Sequence, residues 1–72
     1  MEIIKSEYKL CMICMQEHIV DIVVVKDTEI YKGIVIHFDA VYEHCPNADE
    51  LIETQEMIGI NKVTLKNEYN KL

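Results

Sequence analysis

The residues of this chain that are best suited to do chemistry are its three cysteines. Cys11 and Cys14 are separated by two residues, and Cys45 follows thirty-one residues after Cys14. Two cysteines at this spacing form a knuckle that turns both thiolates toward one ion, as in structural zinc sites. An odd number of cysteines suits a metal site in a reducing compartment better than a secreted disulfide framework. The pattern therefore predicts a zinc site with three thiolate ligands.

The fourth ligand is left open by spacing among His18, His44 and Asp49. His18 follows Cys14 by four residues, which would place both side chains on one side of a helical turn. His44 adjoins Cys45, so in a strand these two side chains would point to opposite faces. We favour His18, with His44 second and Asp49 third. The predicted ligands of this Cys3His site are then Cys11, Cys14, His18 and Cys45.

Other interpretations of these residues stay open. Cysteine is among the residue types most often buried, so the thiols can be plain core residues. A thioredoxin-like redox motif has the same two-residue spacing, but it needs a βαβ unit that the pattern does not favour. A catalytic zinc would need an open coordination position and a general base, for which Glu17 is the nearest carboxylate. Seventy-two residues can hardly enclose a substrate cleft, so we predict that the protein is not an enzyme.

The elements that must position the cysteines begin with a β-hairpin. Residues 19–45 are rich in β-branched and aromatic side chains, which favour strands. Lys32-Gly33 interrupts them and predicts a hairpin turn, in which Gly supplies a positive φ. Asp27-Thr28 is interpreted as a bulge or bend. Because a hairpin returns the chain to its starting point, Cys45 can meet the first cysteine pair.

The remaining residues, 46–72, are predicted to form a turn and then a helix. Pro46 and Asn47 are typical of a turn, and Thr54 is a suitable N-cap. The predicted apolar stripe of the helix consists of Ile58, Leu65, Tyr69 and Leu72. The fold class is thus predicted as α+β: a small zinc-knuckle domain with an antiparallel β-hairpin or three-stranded sheet and a C-terminal helix. We expect residues 1–72 to form a single domain.

Composition narrows the choice of partner. Thirteen acidic residues against seven basic ones give a formal net charge of −6, which argues against direct binding to a nucleic-acid backbone. No apolar run approaches the ~18–20 residues that span a membrane, and the charged start is unlike a signal peptide. We therefore predict a cytoplasmic protein without membrane contact. Met12 and Met15 flank the knuckle as outward contacts or as caps on the core, and we favour the core.

Taken together, these motifs resemble a known family. Cys11-x2-Cys14, a β-rich stretch with a Lys-Gly turn, and then Tyr42-x2-Cys45 are similar to the YgiT-type zinc-finger domain. That domain is the amino-terminal part of MqsA-family antitoxins, and the resemblance extends from about residue 11 to residue 69. It implies that two Cys-x2-Cys knuckles bind one structural zinc and that the zinc domain contacts the toxin.

This chain departs from the family pattern in two ways. The fourth family cysteine falls at Ala48, which cannot bind metal, so another residue must complete the site. The chain also ends where the helix-turn-helix domain of the family would begin, so operator binding is not implied.

We therefore expect a small zinc-binding protein-interaction module of the antitoxin type, which binds and neutralises a protein partner such as a toxin. Two alternatives stay open. One is a phage-encoded inhibitor of a bacterial defence enzyme, which fits the acidic charge and small size. The other is a homodimeric structural module, suggested by surplus apolar residues on the helix.

Overall fold

The computed structural model describes residues 1–72 and has the predicted α+β class. Its elements are β1 (Glu2–Leu10), β2 (Glu17–Tyr31), β3 (Ile34–Cys45), β4 (Glu50–Ile52) and α1 (Gln55–Asn70). The strands form one antiparallel sheet in the order β1-β2-β3-β4. The sheet is larger than the predicted hairpin because the segment before Cys11 pairs with β2 and a short segment after the Pro46 turn pairs with β3.

The β2–β3 hairpin closes at Lys32-Gly33, as predicted. Both residues have positive φ, 51° and 80°, which matches the tight turns whose twist suits antiparallel strands. The pairing of β2 with β3 is unbroken along the hairpin, so the bulge predicted at Asp27-Thr28 was wrong. Asp27 stays in the strand because its carboxylate accepts hydrogen bonds from the Thr28 amide and the Tyr42 hydroxyl.

Helix α1 begins after Thr54, whose side chain accepts a hydrogen bond from the Met57 amide at 3.2 Å. This is the predicted N-cap. The predicted apolar stripe was wrong in part, because the buried positions are Met57, Asn61 and Leu65, whereas Ile58 is exposed. The buried residues recur every four positions and follow the line along which the helix meets β3. No helix of the structure is both long and apolar enough to cross a membrane.

Asn61 attaches the helix to the edge of the sheet. Its Oδ1 accepts a hydrogen bond from the Val41 amide at 2.9 Å, and its Nδ2 donates to the Val41 carbonyl at 3.1 Å. The β3–β4 pairing stops at Glu43, so the Asn61 side chain continues the ladder just beyond β4. Its Nδ2 also donates to Glu53 at 2.6 Å. Buried backbone groups need partners, and this polar residue supplies them where no strand does.

Two small clusters make up most of the core. The cluster under the helix contains Ile36, Phe38, Ala40 and Leu65, flanked by Tyr31, Tyr42 and Tyr69. The cluster at the other end of the sheet contains Cys11, Val20 and Cys45, flanked by Ile13 and Cys14. Because the structure buries 11 of 72 residues, apolar packing alone gives a domain of this size little stability. The second cluster is mostly cysteine, so its stability depends on what the thiols bind.

Candidate metal centre

Three strands deliver the candidate ligands to one end of the sheet. The strands run alternately up and down, so the β1–β2 turn (residues 11–16) and the β3–β4 turn (residues 46–49) lie at the same end. Cys11 follows the last residue of β1, His18 is the second residue of β2, and Cys45 is the last residue of β3. The hairpin that was predicted to return Cys45 to the first pair thus does so.

The four predicted ligands come together at this end. The ligand atoms of Cys11, Cys14, His18 and Cys45 all lie within 4.8 Å of one another. His18 Nε2 is 3.2 Å from Cys14 Sγ and 3.6 Å from Cys45 Sγ. Tetrahedral zinc, with bonds of about 2.3 Å to sulfur and 2.0–2.1 Å to nitrogen, places such atoms about 3.5 Å apart. All three cysteines are free thiols, and the donor set and its spacing fit zinc.

His18 reaches the site from a strand, so the helical turn predicted for it was wrong. Its Nδ1 lies 2.7 Å from the carbonyl oxygen of Ile19. A carbonyl can only accept, so Nδ1 carries the proton and the Nε2 lone pair faces the thiols. Such a hydrogen bond commonly orients a metal-binding histidine. It is also the main cause that raises the pKa of His18, followed by the neighbouring thiols.

Backbone amides stabilise thiolates in both turns. Hydrogen bonding from the amide of Cys14, with a smaller effect of Ile13, lowers the pKa of the Cys11 thiol from 9.0 to about 6 against the opposing effect of burial. At Cys45 burial has the larger effect and raises the pKa, although the Ala48 amide acts in the other direction. The thiolate is the form that binds metal, so Cys11 is prepared for zinc and Cys45 must release a proton.

The turn after Cys45 therefore repeats the local arrangement of the first knuckle. In each turn, the amide three residues after the cysteine acts on its sulfur. That residue is the ligand Cys14 in the first turn and Ala48 in the second. The second turn keeps the backbone of a knuckle and lacks its second thiol, and His18 supplies the missing donor from β2.

The other two candidates for the fourth ligand are bound to each other. His44 Nε2 lies 2.8 Å from Asp49 Oδ1, and its Nδ1 is 4.0 Å from Asp21 Oδ2. His44 and Cys45 are neighbours in β3 and point to opposite faces, as strand geometry requires. Neither His44 nor Asp49 belongs to the group of four candidate metal ligands. Their contact closes the turn that carries Cys45.

An ion pair that the sequence did not predict lies close to the site. Lys9 Nζ is 2.6 Å from Glu43 Oε2, and the Glu43 side chain is only 4% exposed. The pair links β1 to β3 across β2, and Lys9 is also the cross-strand neighbour of His18. Glu43 shares a strand face with Cys45, two residues further on. Because a buried carboxylate needs a partner, the inward strand position of Glu43 could have predicted an ion pair here.

Exposed apolar side chains surround the same end of the molecule. Met12 and Met15 are 57% and 64% exposed, so the prediction that they cap the core was wrong. Tyr8 and Ile19 face each other across β1 and β2 and are both exposed, as is Leu10. We call these five residues, two from the turn and three from the adjoining strands, the knuckle patch.

Comparisons with models of protein families, with curated proteins and with solved structures gave no match. What the metal centre does is therefore inferred from its residues.

Proposed function

We propose that this chain is a zinc-binding protein-interaction module of the antitoxin type, which binds and neutralises a protein partner. The observation that carries the proposal is a group of four side chains with the donor atoms and spacing of a zinc site, beside exposed apolar residues. Four protein ligands leave no position for a catalytic water, which is typical of structural zinc. In this proposal the metal holds the binding surface in shape.

Zinc acts in this proposal as a cross-link between the strand ends. It joins the turn that contains Cys11 and Cys14 to His18 in β2 and Cys45 in β3. In small metal domains the free energy of metal binding is also free energy of folding. The cluster around Val20 has few other apolar members, so this end of the sheet depends most on the metal. Loss of zinc would therefore loosen the knuckle patch.

The knuckle patch has the properties of a partner-binding surface. Exposed apolar side chains gathered at one end of a molecule are typical of interaction sites, and methionine adapts its shape to a partner. The net charge of −6 favours a partner with a basic surface. The resemblance to the YgiT-type zinc finger supports a toxin as that partner, since the zinc domain contacts the toxin in that family. The proposal places the protein in the cytoplasm, where free thiols stay reduced.

The test uses two double variants with similar changes in apolar surface. Met12→Lys/Met15→Lys changes the knuckle patch. Ile30→Lys/Val35→Lys changes a cross-strand pair at the other end of the sheet, whose side chains are 75% and 56% exposed. Zinc-loaded wild type and both variants serve as baits in a host lysate. The captured protein is then purified for calorimetry and expressed alone and with each variant to measure growth arrest.

We expect the wild type and the Ile30/Val35 control to bind the partner equally and to relieve growth arrest. The Met12/Met15 variant should bind at least about tenfold more weakly, which corresponds to ~1.4 kcal/mol. Equal binding by all three proteins would contradict a role for the knuckle patch. A captured protein whose activity is unchanged by this chain would contradict neutralisation. A captured defence enzyme, inhibited by the chain, would instead favour the phage-inhibitor alternative.

A further inference from the structure

We propose that two copies of this chain associate through strand β1, in antiparallel register about Ser6. β1 is the terminal strand of the sheet and is nine residues long. The other terminal strand, β4, has only three residues, and Asn61 of the helix occupies the edge of β3 beyond it. An exposed strand edge is a template for pairing with another strand. β1 is thus the long terminal strand at which a second copy can extend the sheet.

The direction of the backbone groups in β2 follows from the contact of Asn61 with Val41. The amide and the carbonyl of Val41 are both hydrogen-bonded to Asn61, so these backbone groups point away from β2. Its partner Val24 therefore turns its own backbone groups toward β1. Backbone groups alternate sides along a strand, so the even-numbered residues of β2 that lie beside β1, from His18 to Val24, turn their amides and carbonyls toward β1.

The same alternation identifies the outward-facing residues of β1. Lys5, Glu7 and Lys9 are the partners of even-numbered residues of β2, so their backbone groups are used inside the sheet. Ser6 and Tyr8 lie between them and turn their amides and carbonyls to the free edge. A second β1 strand that is centred on Ser6 pairs the two Ser6 residues in hydrogen-bonding register. It sets Tyr8 opposite Ile4, the residue at which the β1–β2 register shifts.

The side chains of β1 are self-complementary in this register. Lys5 of one copy lies opposite Glu7 of the other, and the two-fold axis repeats the contact. Both side chains are exposed, and within one chain Lys5 Nζ is already 2.6 Å from Glu7 Oε1. Four charges of alternating sign would thus lie on one face of the joined sheet. Opposite charges in facing positions stabilise strand pairs, and like charges destabilise them.

The position of Lys9 favours this register over the neighbouring one. Pairing centred on Tyr8 would place Glu7 opposite Lys9 of the second copy. Lys9 is already bound to the buried carboxylate of Glu43 at 2.6 Å, so it is not free to make that contact. Ser6 at the axis also has a small side chain, which allows the two strands to approach.

The test measures the mass of the zinc-loaded full chain by sedimentation equilibrium over a range of concentrations. We expect the mass to rise from 8.4 kDa toward twice that value. Ser6→Pro removes an outward amide that the β1–β2 ladder does not use, and proline is tolerated on strand edges. It should keep its zinc and circular dichroism spectrum but stay monomeric. A monomeric wild type at every concentration, or a Ser6→Pro dimer as tight as the wild type, would overturn the proposal.

Charge variants test the register without proline. Glu7→Lys sets Lys against Lys across the axis, and Lys5→Glu sets Glu against Glu. Each variant alone should dimerise about tenfold more weakly than the wild type. An equimolar mixture should recover the wild-type dimer, since opposite charges then face each other at both contacts. A mixture that associates no better than either variant alone would refute the Ser6-centred pairing.

Discussion

Replacing His18 by Ala separates the proposed fourth ligand from its nearest rival. The substitution removes Nε2, the atom that lies 3.2 Å from Cys14 Sγ and 3.6 Å from Cys45 Sγ. His44→Ala is the matched control, because it removes the same side chain from the same end of the sheet. His44 contacts Asp49 and Asp21 and is not one of the four candidate metal ligands. The two variants therefore differ in whether the lost imidazole is a proposed zinc ligand.

The expected effect of His18→Ala follows from the number of ligands. Structural zinc in small domains is bound by ~10–16 kcal/mol at neutral pH, or ~2.5–4 kcal/mol for each of four ligands when divided equally. Water can replace one ligand in part, so we expect zinc affinity to fall by about 100- to 1000-fold. His44→Ala loses a contact with the exposed Asp49 carboxylate, which is worth less than ~1 kcal/mol. Its zinc affinity should stay within about fivefold of the wild type.

Competition with a chromophoric chelator measures both affinities on one scale. Circular dichroism of the zinc-loaded proteins checks that each variant is folded. The assignment of the fourth ligand would be refuted if His18→Ala kept wild-type affinity. It would also be refuted if His44→Ala lost as much affinity as His18→Ala.

Three further predictions concern protonation and the scaffold. Zinc binds the deprotonated ligands, so zinc affinity should fall as the pH is lowered. Cys45 and His18, whose pKa values are raised, take up protons first. Cys11, whose pKa is about 6, is protonated below that pH. Chelator competition at several pH values checks this, and a flat profile would contradict it. Asn61→Ala removes the hydrogen-bond partner of two part-buried backbone groups of β3. It should lower the free energy of unfolding in urea by ~2–4 kcal/mol, against ~0.5 kcal/mol or less for the exposed Asn67→Ala. Equal effects would contradict the role of Asn61. An added methyl group meets nothing within 4 Å at either glycine, so the backbone decides the effect of each substitution. Gly59→Ala, in the helix, should stabilise the fold by ~1 kcal/mol, whereas Gly33→Ala, at φ 80°, should destabilise it. Thermal unfolding measures both effects. Shifts of the same sign would contradict the backbone argument.

The elements that were predicted correctly are those determined by a few residues close together in the sequence. The Lys32-Gly33 turn and the Thr54 cap lie where residue type alone indicates them. Strand β1 was not predicted, because a register shift between Ile3 and Lys5 interrupts its alternation of apolar and polar residues. Strand β4 has three residues, too few for a period to be recognised. The helix stripe was wrong because the position that bonds to the sheet is the polar Asn61.

The predicted ligand set is the set that the structure brings together, although part of the geometry behind it was different. Thiols and imidazoles identify themselves by residue type, and the hairpin explains how Cys45 returns to the first pair. His18 was expected on a helical turn and lies on a strand, where its spacing from Cys14 has a different cause. The contact between His44 and Asp49 depends on how the second turn folds, which residue spacing does not determine.

Native mass spectrometry of protein purified without chelator tests the central claim most directly. The wild type should carry one zinc ion per chain, and Cys45→Ser should lose it while the exposed control Ile30→Lys keeps it. The loss should be accompanied by loosening of the sheet end around Val20, seen as faster hydrogen exchange there. A folded wild type that carries no zinc, or a Cys45→Ser protein that holds zinc as tightly as the wild type, would contradict the account.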